Sequence, residues 1–342
     1  MNEVKTICIC GGGGQCHAIA PWLAKQGYRV NILTNRPELW SHKFRYFLPD
    51  KSQGETFLNV ISSNPEDVIP EADVILLTVP GFMNAEELTR IKPFLKSNAF
   101  VGGVFSSNGF FFEAFTVLGD TFPLWGFQRV PFIGKIKEYG KEGNILAYKP
   151  AFQIAVENCN PAEKEEFRGW VERAFGSPTQ LLMNYLAVTL SNSNPILHPS
   201  RIYTWLKDWN GELIESNPLF YEQWPIEASE AYIELDKDLH KIIKALPVND
   251  DCLPTVLEYY EQHDAESLTE KIRSIESFRN IRMPVKECEG GFLPDFSSRY
   301  FIEDFEFGLK KYRELAHMYC VDVPFMDKVF QWGSKILEYN LQ

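Results

Sequence analysis

Val4-Lys5-Thr6-Ile7-Cys8-Ile9-Cys10-Gly11-Gly12-Gly13-Gly14-Gln15-Cys16 is the stretch on which the fold turns. Residues 4–10 form an apolar run of strand length, and AIAPWLAKQ, after the glycines, has helix-compatible spacing. Glycines that end a strand and open a helix have a definite use. They let the backbone turn tightly and approach a pyrophosphate, whose charge then meets free N–H groups and the positive end of the following helix. Gly11 and Gly13 fit the first two positions of that pattern, and Gly14 and Gln15 complete the loop. Cys16 stands where a third glycine is usual, so the packing of helix on strand must accept a thiol. The competing reading is a flexible strand-to-helix turn with no ligand.

Working outward, a second strand follows in YRVNILT and ends in Thr34-Asn35-Arg36-Pro37. Dinucleotide folds that take NAD place a carboxylate about 20 residues beyond the glycines to bind the ribose hydroxyls. None stands at this tip. Arg36 can pair bidentately with a 2′-phosphate, while Thr34 and Asn35 offer neutral hydrogen bonds, so NADP(H) is favoured over NAD(H). His42 and Lys43 are further cations nearby, with the ordinary-loop reading equally open. ADVILLTVP and NAFVGGVFS are apolar runs of strand length preceded by helix or turn sequence, as parallel strands buried on both faces require. The N-terminal part is therefore α/β, a doubly wound parallel sheet.

From about Pro161 the texture changes. EKEEFRGWVERAFG, EASEAYIELDKDLHKIIKAL, DFSSRYFIEDFEFGLKKYRELAHMY and FMDKVFQWGSKILEYNL all read as helices, and LLMNYLAVTLSNSNPILHP reads as a long helix stopped by Pro195 and Pro199. The division expected is a sheet domain over residues 1–180 and a mainly α-helical domain over 181–342. With 342 residues, 45% apolar and 14% aromatic, the chain can bury two cores. Its 34 Lys plus Arg against 46 Asp plus Glu, a net charge of −12, oppose nucleic-acid phosphates and favour small polar ligands. The seven cysteines are odd in number and contain no CxxC pair, which argues against a disulfide framework or a thiolate metal site. No apolar run is long enough for a signal-peptide core or a membrane span, so a soluble cytoplasmic protein is expected.

Two segments outside the glycine loop carry chemistry. His198 lies in Asn192-Ser193-Asn194-Pro195-Ile196-Leu197-His198-Pro199, where the prolines are expected to hold the imidazole in a rigid, non-helical turn suited to a fixed proton-transfer group. Asp304 lies in Arg299-Tyr300-Phe301-Ile302-Glu303-Asp304-Phe305-Glu306-Phe307-Gly308-Leu309, where dense aromatics make a buried carboxylate costly unless it is paired, for instance with an imidazole. Each has a plain alternative, a histidine in an ordinary turn and a solvated acidic helix face.

The glycine loop, NPILHP and RYFIEDFEFGL, taken in order, resemble the octopine/nopaline (opine) dehydrogenase family over nearly the whole chain. The resemblance implies an N-terminal Rossmann domain binding NAD(P)H and a helical domain carrying a His-Asp dyad, with His198 and Asp304 in the matching positions. It also implies the reaction: the amine of an amino acid joins a 2-keto acid such as pyruvate, and the imine is reduced by hydride. Gly126-Phe127-Gln128-Arg129-Val130-Pro131-Phe132, followed by Glu138-Tyr139-Gly140, resembles the branch making staphylopine-type metallophores, for which the amine is an aminocarboxylate precursor. Cys16 and the short chain depart from that branch.

On this reading His198 and Asp304 are catalytic, since imidazole titrates near about 6.5 and a group of that kind serves proton transfer at working pH. Arg129 is a candidate for the keto-acid carboxylate through two parallel hydrogen bonds, and Asn194 for orienting substrate or His198. Arg299 and Tyr300 read as packing and ion-pair residues. Nothing in the sequence supports a metal requirement, and a homodimer is the default assembly. Two rival functions remain: a reductase that turns a 2-keto acid into a 2-hydroxy acid without an amine, and a non-catalytic NADP(H)-binding sensor.

Overall fold

The computed structural model describes residues 4–107, 109–248 and 253–340. Cys252 lies outside them. The chain divides by its own contacts into two compact units, Met1–Ser191 and Asn192–Gln342. The expected boundary at 180/181 falls earlier, in the edge strand of the first unit's sheet.

The strands of the first unit are β1 (Thr6–Cys10), β2 (Arg29–Leu33), β3 (Lys43–Phe47), β4 (Gln53–Phe57), β5 (Ile61–Ser62), β6 (Val74–Leu77), β7 (Phe100–Gly103), β8 (Leu124–Phe127), β9 (Phe132–Glu138), β10 (Glu142–Tyr148), β11 (Phe152–Glu157) and β12 (Thr179–Leu181). The main sheet runs β12-β11-β8-β7-β6-β1-β2-β5. The strands from β5 through β8 are parallel, and β11 joins β8 antiparallel. β1, β6 and β7 are buried at every position, which explains their unbroken apolar runs. The chain leaves β1 for β2 on one side and returns to β6 on the other. The strand order thus reverses at the carboxyl end of β1, where open α/β sheets bind their ligands. Gly11 begins there.

The helix Gly14–Lys25 that follows is buried almost all round, including Cys16, His17, Ala18, Ile19, Ala20, Pro21 and Leu23. A helix apolar on every face needs cover on both sides. The cover is a second sheet, ordered β4-β3-β10-β9, which packs on the helix opposite the main sheet. It is assembled from two separate stretches, 43–57 and 132–148. The sequence reading did not foresee it.

The second unit is mainly helical. The helix Asn194–Leu206 packs on Ile226–Ala245 and on a π-helical stretch, Ile302–Leu309, and the C-terminal helix Pro324–Asn340 packs against all three. Buried Asp238 accepts the N–H groups of Phe325 and Met326 at 2.9 Å each, capping that last helix from within Ile226–Ala245. A hairpin, β13 (Val285–Cys288) and β14 (Gly291–Pro294), adds the unit's strands. Single bridges, Ile214 to Phe292 and Leu219 to Arg282, pin the irregular segment 207–225. No helix among the described residues is long and apolar enough to cross a membrane.

NPILHP is not a turn. It forms the start of the helix Asn194–Leu206, with His198 in its second turn and Pro199 inside it. The physical reason is position: Pro195 is the second helical residue, where its missing N–H has no intrahelical partner to lose. Pro199, one turn on, forfeits only the bond to the Pro195 carbonyl. The long helix expected before it is broken into β12, the short helix Tyr185–Leu190 and this one.

Candidate active site

At the glycine loop the backbone does the work. Gly11 sits at φ +132°, and a Cβ there would lie 2.4 Å from Thr78 Oγ1, so both conformation and space exclude a side chain. Its N–H donates to Leu33 O at 2.8 Å, tying the loop to the end of β2. Gly13 caps the helix without any side-chain bond, and the first turn holds no acidic residue. Nothing lies within 4 Å of where a Gly13 Cβ would be. No side chain caps the first N–H groups of this 12-residue helix, and a pyrophosphate suits such a terminus. Gly14 is approached by Gly134 O of β9, 2.9 Å from an added Cβ, so this side of the helix needs the missing side chain. Cys16 is fully buried, and burial pushes its thiol far above the usual range. It packs; it does not react.

Gln15 donates from Nε2 to Phe132 O at 2.9 Å, while its Oε1 is buried without a partner. Thr34 is buried with its N–H on Ser62 O. Asn35 Oδ1 accepts from Arg90 at 3.4 Å. Arg36 is exposed, its guanidinium stacked over the ring of Tyr139 at 4.6 Å. Tyr139, at the tip of the β9–β10 hairpin, brings its hydroxyl to 2.6 Å from a Cβ added at Gly12. His17 rivets the two together. Its Nε2 accepts the Gly140 N–H at 2.7 Å, which leaves Nδ1 to donate to Gly13 O at 3.0 Å. Burial lowers its pKa, consistent with a neutral ring. His42 bonds Leu58 O, and Lys43 is paired with Glu55 at 2.8 Å, so both serve the second sheet.

In the helical unit, His198 Nδ1 and Asp304 Oδ2 lie 2.7 Å apart, although 106 positions separate them in sequence. His198 is 3% exposed and Asp304 5%. The aspartate comes from the π-helical stretch, an uncommon form often found at functional sites. Gly308 brings that stretch against the helix of His198: a Cβ there would be 2.7 Å from Pro195 Cβ. The other imidazole nitrogen, Nε2, is 2.8 Å from the hydroxyl of Tyr221. Tyr300 and Phe220 meet the imidazole edge-on at 4.6 and 5.5 Å.

The octopine/nopaline dehydrogenase alpha-helical domain, described for NAD or NADP enzymes, matches residues 181–337, and a ketopantoate reductase PanE/ApbA domain matches residues 7–111. A tauropine dehydrogenase from Arabella iricolor is 28% identical, covering 97% of this chain and 91% of its own length. An opine dehydrogenase from Haliotis discus hannai is 29% identical, covering 98% and 91%. The helical unit thus carries the octopine/nopaline dehydrogenase alpha-helical domain, and the chain is similar to opine dehydrogenases over nearly its whole length. A solved octopine dehydrogenase with NADH and L-arginine superposes with a TM-score of 0.86 at 25% identity, over 98% of this chain and 90% of the other. The family's two-part layout, a parallel-rich sheet followed by a helical domain, is the one described above.

The remaining expected residues lie as follows. Arg129 is exposed just beyond β8, at the same carboxyl edge of the parallel sheet as the glycine loop. Asn194 is exposed and one turn ahead of His198 on the same helix. The sequence reading missed Tyr221, quoted Tyr139 only within the metallophore-like segment, and gave Arg299 a packing and ion-pair role. Arg299 lies in electrostatic reach of both Asp304 and the Tyr221 hydroxyl, and its guanidinium sits 5.4 Å from the Tyr300 ring. Its spacing of five residues before Asp304 gave no signal, since residues i and i+5 fall on different faces of an α-helix.

Proposed function

We propose that this protein is a nicotinamide-dependent opine dehydrogenase: it joins the amine of an amino acid to a 2-keto acid such as pyruvate and reduces the resulting imine. The observation that carries this reading is the buried His198–Asp304 hydrogen bond inside the helical domain that the family shares. The dinucleotide, when bound, supplies the hydride.

The chain's own residues supply the rest. The Gly11–Gln15 loop holds the pyrophosphate through backbone N–H groups. Arg36, with Thr34 and Asn35, takes the adenosine ribose, and a cation without a carboxylate at this tip favours NADPH over NADH. Asp304 accepts the Nδ1–H of His198, fixing the tautomer that leaves Nε2 as the acceptor. His198 then takes a proton from the incoming ammonium, so that the free amine can attack the keto carbon, and returns one as water leaves the carbinolamine. Arg299, Arg129 and Asn194 are the proposed partners of the substrate carboxylates.

Glu138-Tyr139-Gly140 lies at the glycine loop, where it shapes the dinucleotide side of the site. That supports reading the metallophore-like segment as a cofactor feature and the amine as a free amino acid. The test is a panel of amino donors against pyruvate and 2-oxoglutarate, followed by NADPH consumption and the mass of the adduct. Consumption that requires an amine and yields the reduced adduct is expected. Consumption without an amine, giving a hydroxy acid, overturns the reading, and no consumption with any pair leaves the sensor.

A further inference from the structure

The dyad has no open nitrogen. Asp304 holds Nδ1 at 2.7 Å and Tyr221 holds Nε2 at 2.8 Å, and Tyr221 itself is only 5% exposed. With Nδ1–H on the carboxylate, Nε2 is an acceptor and the tyrosine hydroxyl must be the donor. An amine can therefore exchange a proton with the imidazole either after Tyr221 swings aside or through its hydroxyl.

The surroundings decide between these. The Tyr221 ring stacks on Phe278 at 4.1 Å and packs on Phe220 at 4.6 Å. Its carbonyl accepts the Trp224 N–H at 3.0 Å, and the Phe220 N–H is bonded to Ile281 O. Arg201, one turn after His198 on the same helix, is buried and donates to the carbonyls of Phe220 and Gln223 at 3.2 and 3.3 Å, on either side of Tyr221. Arg273 donates to Trp224 O at 2.7 Å. Burial, with the Arg273 charge adding to it, pushes the Arg201 guanidinium down to about 10, a cost accepted to anchor this short segment. A ring packed by Phe278, Phe220 and Trp224 on a backbone held by two arginines is built to stay.

We propose that Tyr221 is a catalytic proton relay, its hydroxyl passing the proton between the substrate amine and His198 Nε2. The inference rests on the function proposed above. The hydroxyl oxygen receives the ammonium proton as its own proton moves to Nε2, leaving a free amine, an unchanged tyrosine and an imidazolium held by Asp304. Burial raises the phenol far above its ordinary value, so the two transfers occur together and no phenolate forms.

The experiment compares wild type with Tyr221→Phe, using NADPH, pyruvate and a mixture of the common amino acids, with dinucleotide binding followed by fluorescence. Loss of a relay lowers kcat about 10²-fold while KM for the amines and dinucleotide binding stay near wild type. Wild-type or faster turnover in the phenylalanine variant overturns the relay, the faster case identifying the hydroxyl as a cap. A solvent deuterium series on the wild type in single turnover gives the second reading, independent of any variant. A bowed dependence on deuterium content, from two protons in flight, is expected, and a linear one overturns the relay. Wild type that consumes NADPH without an amine sinks the proposed function instead, and the relay with it.

Discussion

The glycine loop and the His198 site solve opposite problems. The loop offers a helix N-terminus that no side chain caps, from residues contiguous in sequence. The dyad is made of side chains from distant segments, satisfied and sealed. A ligand completes the first; the second is complete before any ligand arrives. Binding should therefore be lost by adding atoms at the loop, and catalysis by removing them at the dyad.

The largest expected effect separates the two. His198→Ala should lower turnover by about 10²–10⁴-fold while dinucleotide fluorescence titrates as in wild type. Undiminished turnover would break the contrast at its strongest point. Gly11→Ala should do the reverse, weakening dinucleotide binding by about 10–100-fold through the strain of a positive φ and the clash with Thr78, with the far-ultraviolet dichroism of the helical unit retained. Arg36→Ala sharpens the loop's half. A lost charge-assisted contact of about 1.5–3 kcal/mol should weaken NADPH by roughly tenfold or more and leave NADH nearly unchanged, as isothermal titration would record. Equal losses for both would assign Arg36 to the pyrophosphate or to Tyr139 alone.

The smallest effect is a slope. His17 is buried as the neutral ring, with its pKa lowered by desolvation. Its folded value lies below the unfolded one of about 6.5, so its contribution is intact above that pH and is lost as pH falls through the folded value. Melting temperature should decline on acidification across that window, and His17→Gln should flatten this part of the decline. An unchanged slope would show that the rivet between Gly13 and Gly140 does not govern acid stability.

How much of each region was legible follows from how it is built. The loop was readable because strand, glycines and helix are adjacent in sequence and each has its own signal. From the residues alone the dyad was readable as two separate candidates, which the family resemblance joined, and the prolines beside His198 misled because the first turns of a helix tolerate them. Tyr221 was not readable. It lies in a segment without periodicity, whose path is set by Arg201 and two single bridges. β3, β4, β9 and β10 were missed for a related reason. The exposed positions of β3, β4 and β9 carry lysine, glutamate and arginine, so FIGKIKE lacks the unbroken apolar run that marked the main sheet.

The second sheet also sets a timetable. Helix Gly14–Lys25 keeps a bare oily flank until residues 132–148 reach it, because half of its cover is encoded that far downstream. A ribosome finishing the first crossover has thus produced the glycines but not a working nucleotide cradle. The nascent chain should stay blind to the coenzyme, and exposed to chaperones, until residues 132–148 have been translated and released.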